Sequence, residues 1–337
     1  MTGTGGQGAS GPADLSVPEV TIVMPVRNEA STIAIALASA LLQQTTFPFE
    51  VVIADGVSDD GTRAIIDEVA EGDPRVRVVD NPERGTPQAL NVALAAARGT
   101  FWVRLDGHSV VPPDYVDRLV GHLRAGECEA AGGVVRALGD TAFGKAVAGA
   151  HDSRFGIGNA RHHYATETSE IDHIAHGAYR VDVSRQIGGF DTELVRNQDF
   201  DFDFRYRATG ARMMIDPGVE FHRRVRETPR SLAKQFYQYG YWKYVVLRRH
   251  PASLHVRWLV PPALVTALVG ATLMSWTRAG RLLLVVTASA YAAVLLAGSV
   301  TIGRRVGFGL APRAAVGLAI MHLSWGTGFV RSALVER

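Results

Sequence analysis

VTIVMPVRNEASTIAIALASALLQQTTFPFEVVIAD, residues 20–55, is the stretch whose pattern decides the fold. Residues 20–26 form a short apolar run of the buried-strand type, residues 31–43 carry a helical pattern, and residues 51–55 form a second apolar run that ends in Asp55. The alternation continues downstream. Residues 65–70 read as helix, 76–80 as strand, 87–98 as helix and 101–106 (FWVRLD) as strand, again closed by an acid. Apolar strands separated by helices of about a dozen residues predict an α/β domain with a mainly parallel central sheet covered on both faces. Ligands bind such sheets beyond the carboxyl ends of the strands, where Asp55 and Asp106 fall. No GxGxxG follows the first strand and no GxxxxGK[ST] occurs, which argues against a dinucleotide site and a P-loop.

The composition divides the chain. Lys and Arg number 35 against 33 Asp and Glu, a net +2, yet no acid occurs between Thr228 and Val335. Within that acid-free part Trp258–Trp276 is uncharged, and at 1.5 Å per residue it spans roughly 28 Å, about one bilayer core. Leu282–Ile302 is a second uncharged run and Ala314–Val330 a weaker third. These predict a membrane region of two or three helices over 258–337. Residues 228–257 precede it as a basic, aromatic helix suited to a bilayer interface, with membrane lipid as its partner rather than nucleic acid. Residues 1–17 read as a disordered tail, and 18–227 as the folded domain. The tail has no basic segment followed by an apolar one, so no cleaved signal is expected. Arginines flank the spans on both sides and favour a cytoplasmic domain only narrowly. Cys128 is the sole cysteine and has no intrachain partner.

Two clusters have chemistry in them. Asp106-Gly107-His108 pairs a hard carboxylate with a borderline imidazole just past a strand. The pair suits Mn²⁺ or Mg²⁺ shared with a diphosphate, although such strings also occur in ordinary turns. In NQDFDFDFRYRATG (197–210) the acids Asp199, Asp201 and Asp203 alternate with phenylalanines. On a helix Asp199 and Asp203 share a face and Asp203 pairs with Arg207. The aromatics would set a carboxylate in apolar surroundings that raise its pKa toward that of a general base, or the acids form a solvated face.

PVRNEASTI, ADGVSDDGT, RLDGHS, IGGFD (187–191) and QDFDFDFRYRATG (198–210) follow one another in the order seen in family 2 glycosyltransferases. The chain resembles membrane-associated members of that family, and within it the succinoglycan-type exopolysaccharide transferases, over about residues 20–250 and the spans. The resemblance implies a GT-A nucleotide-sugar-binding domain followed by a helical membrane region. It implies a metal-dependent hexosyltransferase that moves a sugar from a nucleoside-diphosphate donor, a UDP-sugar first among them. The acceptor it implies is lipid-linked or a glycan, with inversion, in cell-envelope or exopolysaccharide synthesis. Pro25, Arg27, Glu29, Asp55 and Arg84 match nucleotide-binding positions. Asp106 matches the metal- and donor-binding acid, with His108 in place of the more usual second aspartate. His222 matches a distant third metal ligand, and imidazole ligands tilt the preference to Mn²⁺ over Mg²⁺. Asp199 matches the catalytic base, with Gln198 where the family has glutamate. The expected location is the cell membrane, multi-pass, with the catalytic domain cytoplasmic. Two other functions fit the same motifs: a polyprenyl-phosphate sugar synthase, for which Arg223, Arg224 and Arg226 are available, and a catalytically silent nucleotide-sugar sensor.

Overall fold

Val20–Val26 (β1) is buried almost throughout because helices cover both faces of the sheet in which it is central. The computed structural model describes residues 17–336, so the expected N-terminal tail lies, apart from Val17, outside the described residues. Ile33–Leu41 (α1), Phe49–Asp55 (β2), Thr62–Gly72 (α2), Val76–Asp80 (β3), Thr86–Ala96 (α3) and Phe101–Arg104 (β4) follow in the expected alternation. β1 pairs in parallel with β2 from Val20↔Phe49 to Val26↔Asp55, and with β4 from Val20↔Phe101. Tyr115–Arg124 (α4), Ala130–Leu138 (β5), Ala142–His151 (α5), Arg154–Ile157 (α6), Ser169–Glu170 (β6), Gly177–Arg180 (β7) and Val181–Gln186 (α7) come next. Gln198–Ala208 (α8) and Met213–Arg224 (β8) close this part of the chain.

The strand order is β3-β2-β1-β4-β7-β5-β8-β6. β7 runs antiparallel between β4 and β5, pairing Val103 with Ala178 and Gly132 with Gly177. This reversal places the residues just ahead of β7 at the carboxyl end of β4. One apolar layer unites β1, β2, α1 and α4 on one face; the other, with Trp102, Tyr179, Phe190 and Phe202, unites α3 and α8 with the opposite face. Trp102 stacks on Tyr179 at 4.9 Å, and its indole N–H donates to Ser184 at 2.8 Å.

The C-terminal part consists of Pro229–Arg249 (α9), Val260–Leu273 (α10), Arg278–Val306 (α11) and Ala311–Val335 (α12). Thr228 caps α9, accepting from the Ser231 N–H, with Pro229 in the first turn. Glycines let α9 and α12 meet backbone to backbone: a side chain at Gly240 would strike the Trp325 carbonyl, and one at Gly328 the Tyr237 carbonyl. A third apolar cluster joins Val147 on α5 to Phe236, Ile302, Leu318 and Met321, tying these helices to the sheet domain.

Two segments, Val256–Leu273 and Arg278–Val306, are long and apolar enough to cross a membrane. α11, with 29 residues, spans roughly 43 Å, whereas α10 alone, with 14, covers about 21 Å, less than the length its sequence run suggests. The third run, Ala314–Val330, is not among those segments; it lies in α12, whose Gly317, Leu318, Met321 and Phe329 are buried.

Candidate functional site

A cavity of about 1270 Å³ opens beyond the carboxyl ends of β1 and β4 and runs to the seam between α10 and α11. Among the described residues, four other than glycine hold left-handed φ angles: Asn28 (55°), Val57 (57°), Arg84 (64°) and Asn197 (60°). Strain of this kind persists where surrounding bonds over-determine it. At Asn28 they do. Its N–H donates to Ser58 at 3.0 Å, its amide donates to Asp59 at 2.9 Å, and the Asp59 N–H returns a bond at 3.1 Å. The loop after β1 is thereby pinned to the loop after β2, and Pro25, Arg27 and Glu29 are presented to the cavity, with Arg84 opposite. Asp55 ends β2 but is 3% exposed and does not line the cavity. Its carboxylate accepts from the Ser58 hydroxyl at 2.6 Å, which shapes the loop from behind.

Asp106 lies just past β4 and lines the cavity. Arg104 Nε donates to its Oδ1 at 2.9 Å, and His176 Nε2 lies 3.0 Å from its Oδ2. Burial works to raise this carboxyl, but Arg104 and the hydrogen bond from His176 hold it well below the usual carboxylate range. A Cβ at Gly107 would sit 3.1 Å from Val26 and 3.3 Å from Glu29, a tight fit that those side chains would have to yield to. His108 Nδ1 lies 2.9 Å from Glu29 Oε1, and this bond raises the imidazole's pKa.

The structure does not bring His222 to this pair. It is half exposed on β8, 3.7 Å from Glu220, outside the cavity wall. Successive residues of a strand face opposite ways, so Phe221 points inward instead, and His176 stacks on it at 4.0 Å. Among the described residues no group of three His, Cys, Asp or Glu side chains converges as a metal cage would require. Asp106 and His108 both line the cavity, with the Asp106 oxygens bonded by Arg104 and His176 and His108 Nδ1 facing Glu29, so a divalent ion between them would have to share or displace these partners.

Asp199 stands in the first turn of α8, after the left-handed Asn197, and lines the same cavity. Its surroundings are cationic rather than apolar. Burial works to raise its pKa, but the charges of His173, Arg104 and Lys243 and the Phe200 N–H hold it below the ordinary value. Of the phenylalanines that alternate with the acids, Phe202 packs on Trp102 and Phe190, and Phe204 on His250, while Phe200 shares the cavity wall. The expected Asp203–Arg207 pair is absent because Asp203 points inward. It accepts from the Ile174 N–H at 2.7 Å and the Tyr179 hydroxyl at 3.1 Å, and His173 Nδ1 lies 2.7 Å away. The i,i+4 pair on this helix is Asp201–Arg205, at 2.7 Å. Gln198 is buried with its side-chain oxygen unpartnered.

Arg104, His173, His176 and Lys243 at the site escaped the sequence reading. His173 and His176 sit in DHIAHG, ahead of a four-residue strand whose antiparallel insertion has no local signature. Lys243 lies inside the basic, aromatic helix, where its neighbours suggested a membrane surface. Where the cavity meets α10 and α11 its wall is apolar, with Val260, Leu264, Ala290, Tyr291 and Val294, and Arg223, Arg226 and Arg257 also line it.

The family model described as Glycosyl transferase family 2 matches residues 21–188. The chain is 32% identical to the succinoglycan biosynthesis protein ExoA of Rhizobium meliloti (strain 1021) over 329 residues, 95% of this chain and 97% of the relative. It is 22% identical, over 72% of its length and 77% of the relative's, to the dolichyl N-acetyl-alpha-D-glucosaminyl phosphate 3-beta-D-2,3-diacetamido-2,3-dideoxy-beta-D-glucuronosyltransferase of Methanococcus voltae. In fold it is similar to the mannosyltransferase PcManGT from Pyrobaculum calidifontis in complex with GDP-Man and Mn²⁺. The TM-score is 0.59 at 22% identity, covering 97% of this chain and 92% of that one.

Proposed function

The chain belongs to glycosyltransferase family 2, in its succinoglycan type, and on that premise we propose that it transfers a sugar, with inversion, from a nucleoside-diphosphate donor to a lipid-linked acceptor at a membrane face. The observation that carries this reading is the continuity of the cavity. One volume joins Arg27, Arg84, Asp106 and His108 at the donor end to Asp199 in the middle and to the apolar α10–α11 seam. A soluble acceptor needs no apolar far wall; a lipid carrier does. The exposed apolar side chains of α10 and α11, among them Val260, Val269, Leu273, Leu282 and Val286, support membrane contact on the same side. The likeness to a succinoglycan biosynthesis protein supports a reaction in cell-envelope or exopolysaccharide synthesis.

In this account Arg27 and Arg84 bind the donor's diphosphate, and the loop pinned through Asn28 fixes the nucleotide against Pro25 and Glu29. A divalent ion held by Asp106 and His108, Mn²⁺ in preference to Mg²⁺, would supply neutralising charge to the departing diphosphate. Arg104 and His176 orient Asp106. Asp199 takes the proton of the acceptor hydroxyl as that oxygen attacks the anomeric carbon from the side opposite the leaving group. The cations around Asp199 keep it ionised and ready for that transfer. Gln198 offers an amide beside it that can orient the hydroxyl.

Incubating membranes that contain the full chain with radiolabelled UDP-, GDP- and dTDP-sugars, then extracting lipids, tests this reading. Label in a lipid-linked saccharide is the expected result. Label on a singly glycosylated lipid phosphate would instead make the chain a polyprenyl-phosphate sugar synthase, a reading that Arg223, Arg226 and Lys243 beside the cavity also favour. Absence of label from every lipid and glycan would leave only a nucleotide-sugar sensor.

A further inference from the structure

Lys243 projects from α9 into the wall of the cavity and is only 7% exposed. Its ammonium lies 3.6 Å from the centre of the Phe200 ring and 4.3 Å from that of Trp258. Phe200 follows Asp199, and Trp258 precedes the first apolar segment, so this nitrogen stands where the base, the basic helix and the membrane helices meet. It forms no ion pair among the described residues. Asp199 and Asp172 act on it only at a distance, and Arg257 opposes them.

An unpaired buried ammonium is costly, and two aromatic faces offset only part of that cost. Burial accordingly pushes the amine down to about 7. The neighbouring charges give it no counter-ion. Arg154, Arg196, Arg223, Arg226 and Arg257 line the same cavity, whose acids are Glu29, Asp106, Asp172 and Asp199. Arg257 and Arg196 bond to uncharged groups, the Asn159 carbonyl and the Gln238 amide, so their charge also stays uncompensated. The donor's diphosphate is served at the opposite end by Arg27 and Arg84. Positive charge lining the cavity therefore exceeds the acids that line it.

We propose that Lys243 is the anchor for a phosphoryl group carried by the acceptor, held between Asp199 and the α10–α11 seam so that the lipid's own anion supplies the counter-charge missing from the folded chain. This inference rests on the lipid-linked acceptor reading above and adds to it a specificity-determining residue. It explains why a lysine is retained where an apolar side chain of the same length would pack with less penalty. It also separates the two phosphate sources in the reaction, since the nucleotide is bound elsewhere.

The test uses the full chain in detergent micelles as wild type, Lys243→Met and Lys243→Arg, and reads the thermal unfolding midpoint. The probes are geranylgeranyl phosphate, uncharged geranylgeraniol, and UDP with Mn²⁺. Geranylgeranyl phosphate should raise the wild-type midpoint and geranylgeraniol should not. Lys243→Met should start from a higher midpoint than wild type, because it removes an unpaired buried charge while conserving volume. It should lose the geranylgeranyl phosphate shift, with affinity down about tenfold or more, and keep the UDP shift. Lys243→Arg should retain part of the lipid phosphate shift. Three results would overturn the assignment: a Lys243→Met variant that keeps the lipid phosphate shift, one that loses the UDP shift instead, or a wild type that gains nothing from geranylgeranyl phosphate. If the wild type nonetheless labels lipid in membranes, the transfer reading stands and Lys243 alone is misassigned; if it labels none, the transfer reading itself fails.

Discussion

His176 Nε2 sits 3.0 Å from Asp106 Oδ2, seventy residues apart in the chain, and this bond fixes the Asp106 carboxylate in the cavity wall. It exists because β7 runs against β4, so the residue before Gly177 meets the residues beyond Arg104. Replacing His176 by Phe keeps a ring on Phe221 but removes the donor. The fold should survive, while nucleotide-sugar affinity in the presence of Mn²⁺ falls by about 10–100-fold, as expected when a partner orienting a metal-side group is lost. Titration of nucleotide binding against an unchanged unfolding midpoint checks this. Unaltered binding would make the histidine a packing residue only.

Asp203 gathers the His173 ring, the Ile174 N–H and the Tyr179 hydroxyl at full burial. Asp203→Ala leaves those donors facing an empty space, and His173 without its partner. The expected loss is about 3–5 kcal/mol of stability. Arg207→Ala, which the sequence pattern also tied to Asp203, should change little. Chemical denaturation of both variants gives the comparison, and equal losses would contradict the structure's pairing.

Glu50 supplies a pH dependence. Its carboxylate is almost fully buried and accepts from Thr21 at 2.9 Å, from the Arg98 N–H at 2.9 Å and from Arg77 at 3.0 Å. Burial works to raise its pKa, but the Arg98, Arg77 and Thr21 hydrogen bonds outweigh it and the net shift is downward from 4.5. A group whose folded pKa is depressed stabilises the fold above its unfolded value and loses that contribution as pH falls through the folded value. Wild type should therefore lose its margin over Glu50→Gln below pH 4.5, and hold it above. Partly exposed arginines limit the size of the effect. Unfolding midpoints of the two proteins from pH 7 to pH 3.5 that stay parallel would rule this contribution out.

Membrane attachment is the next expectation. The full chain should remain in the pellet after an alkaline carbonate wash, because α11 is long enough to span and many of its apolar residues, Leu282, Val285, Val286 and Leu296 among them, have little protein cover. Deleting residues 228–337 should yield an aggregating rather than a soluble domain. It uncovers Val147 and its neighbours on α5, which Leu318, Ile302 and Phe236 otherwise bury. Release of the full chain by carbonate would contradict the membrane reading.

The sheet was legible because β1, β2 and β4 carry apolar runs, the mark that burial of both faces leaves in a sequence, while the edge strand β3 shows a shorter run broken by Arg77. Asp106 and Asp199 were legible for a related reason: one follows a strand and the other opens a helix, the places where side chains face ligand. What stayed hidden came from tertiary neighbours. Nothing near Asp199 in sequence announces Arg104, His173 or Lys243, so the flanking phenylalanines pointed to an apolar setting and a raised pKa, opposite to the charge balance the fold produces. His222 lies on the expected strand, but alternation turns it away from the cavity. The length of α10 was overread for a simpler cause. The apolar run of residues 258–276 includes a turn at each end that composition does not reveal.

Transfer by Asp199→Asn tests the central claim most directly. The account predicts that label reaching lipid from the donor falls by about 10²–10⁴-fold relative to wild type, while nucleotide-sugar affinity stays nearly unchanged, because the carboxylate acts on the acceptor proton in the transition state. A variant that keeps more than about a tenth of wild-type transfer would contradict it, since so small a loss lies outside the range of general-base assistance.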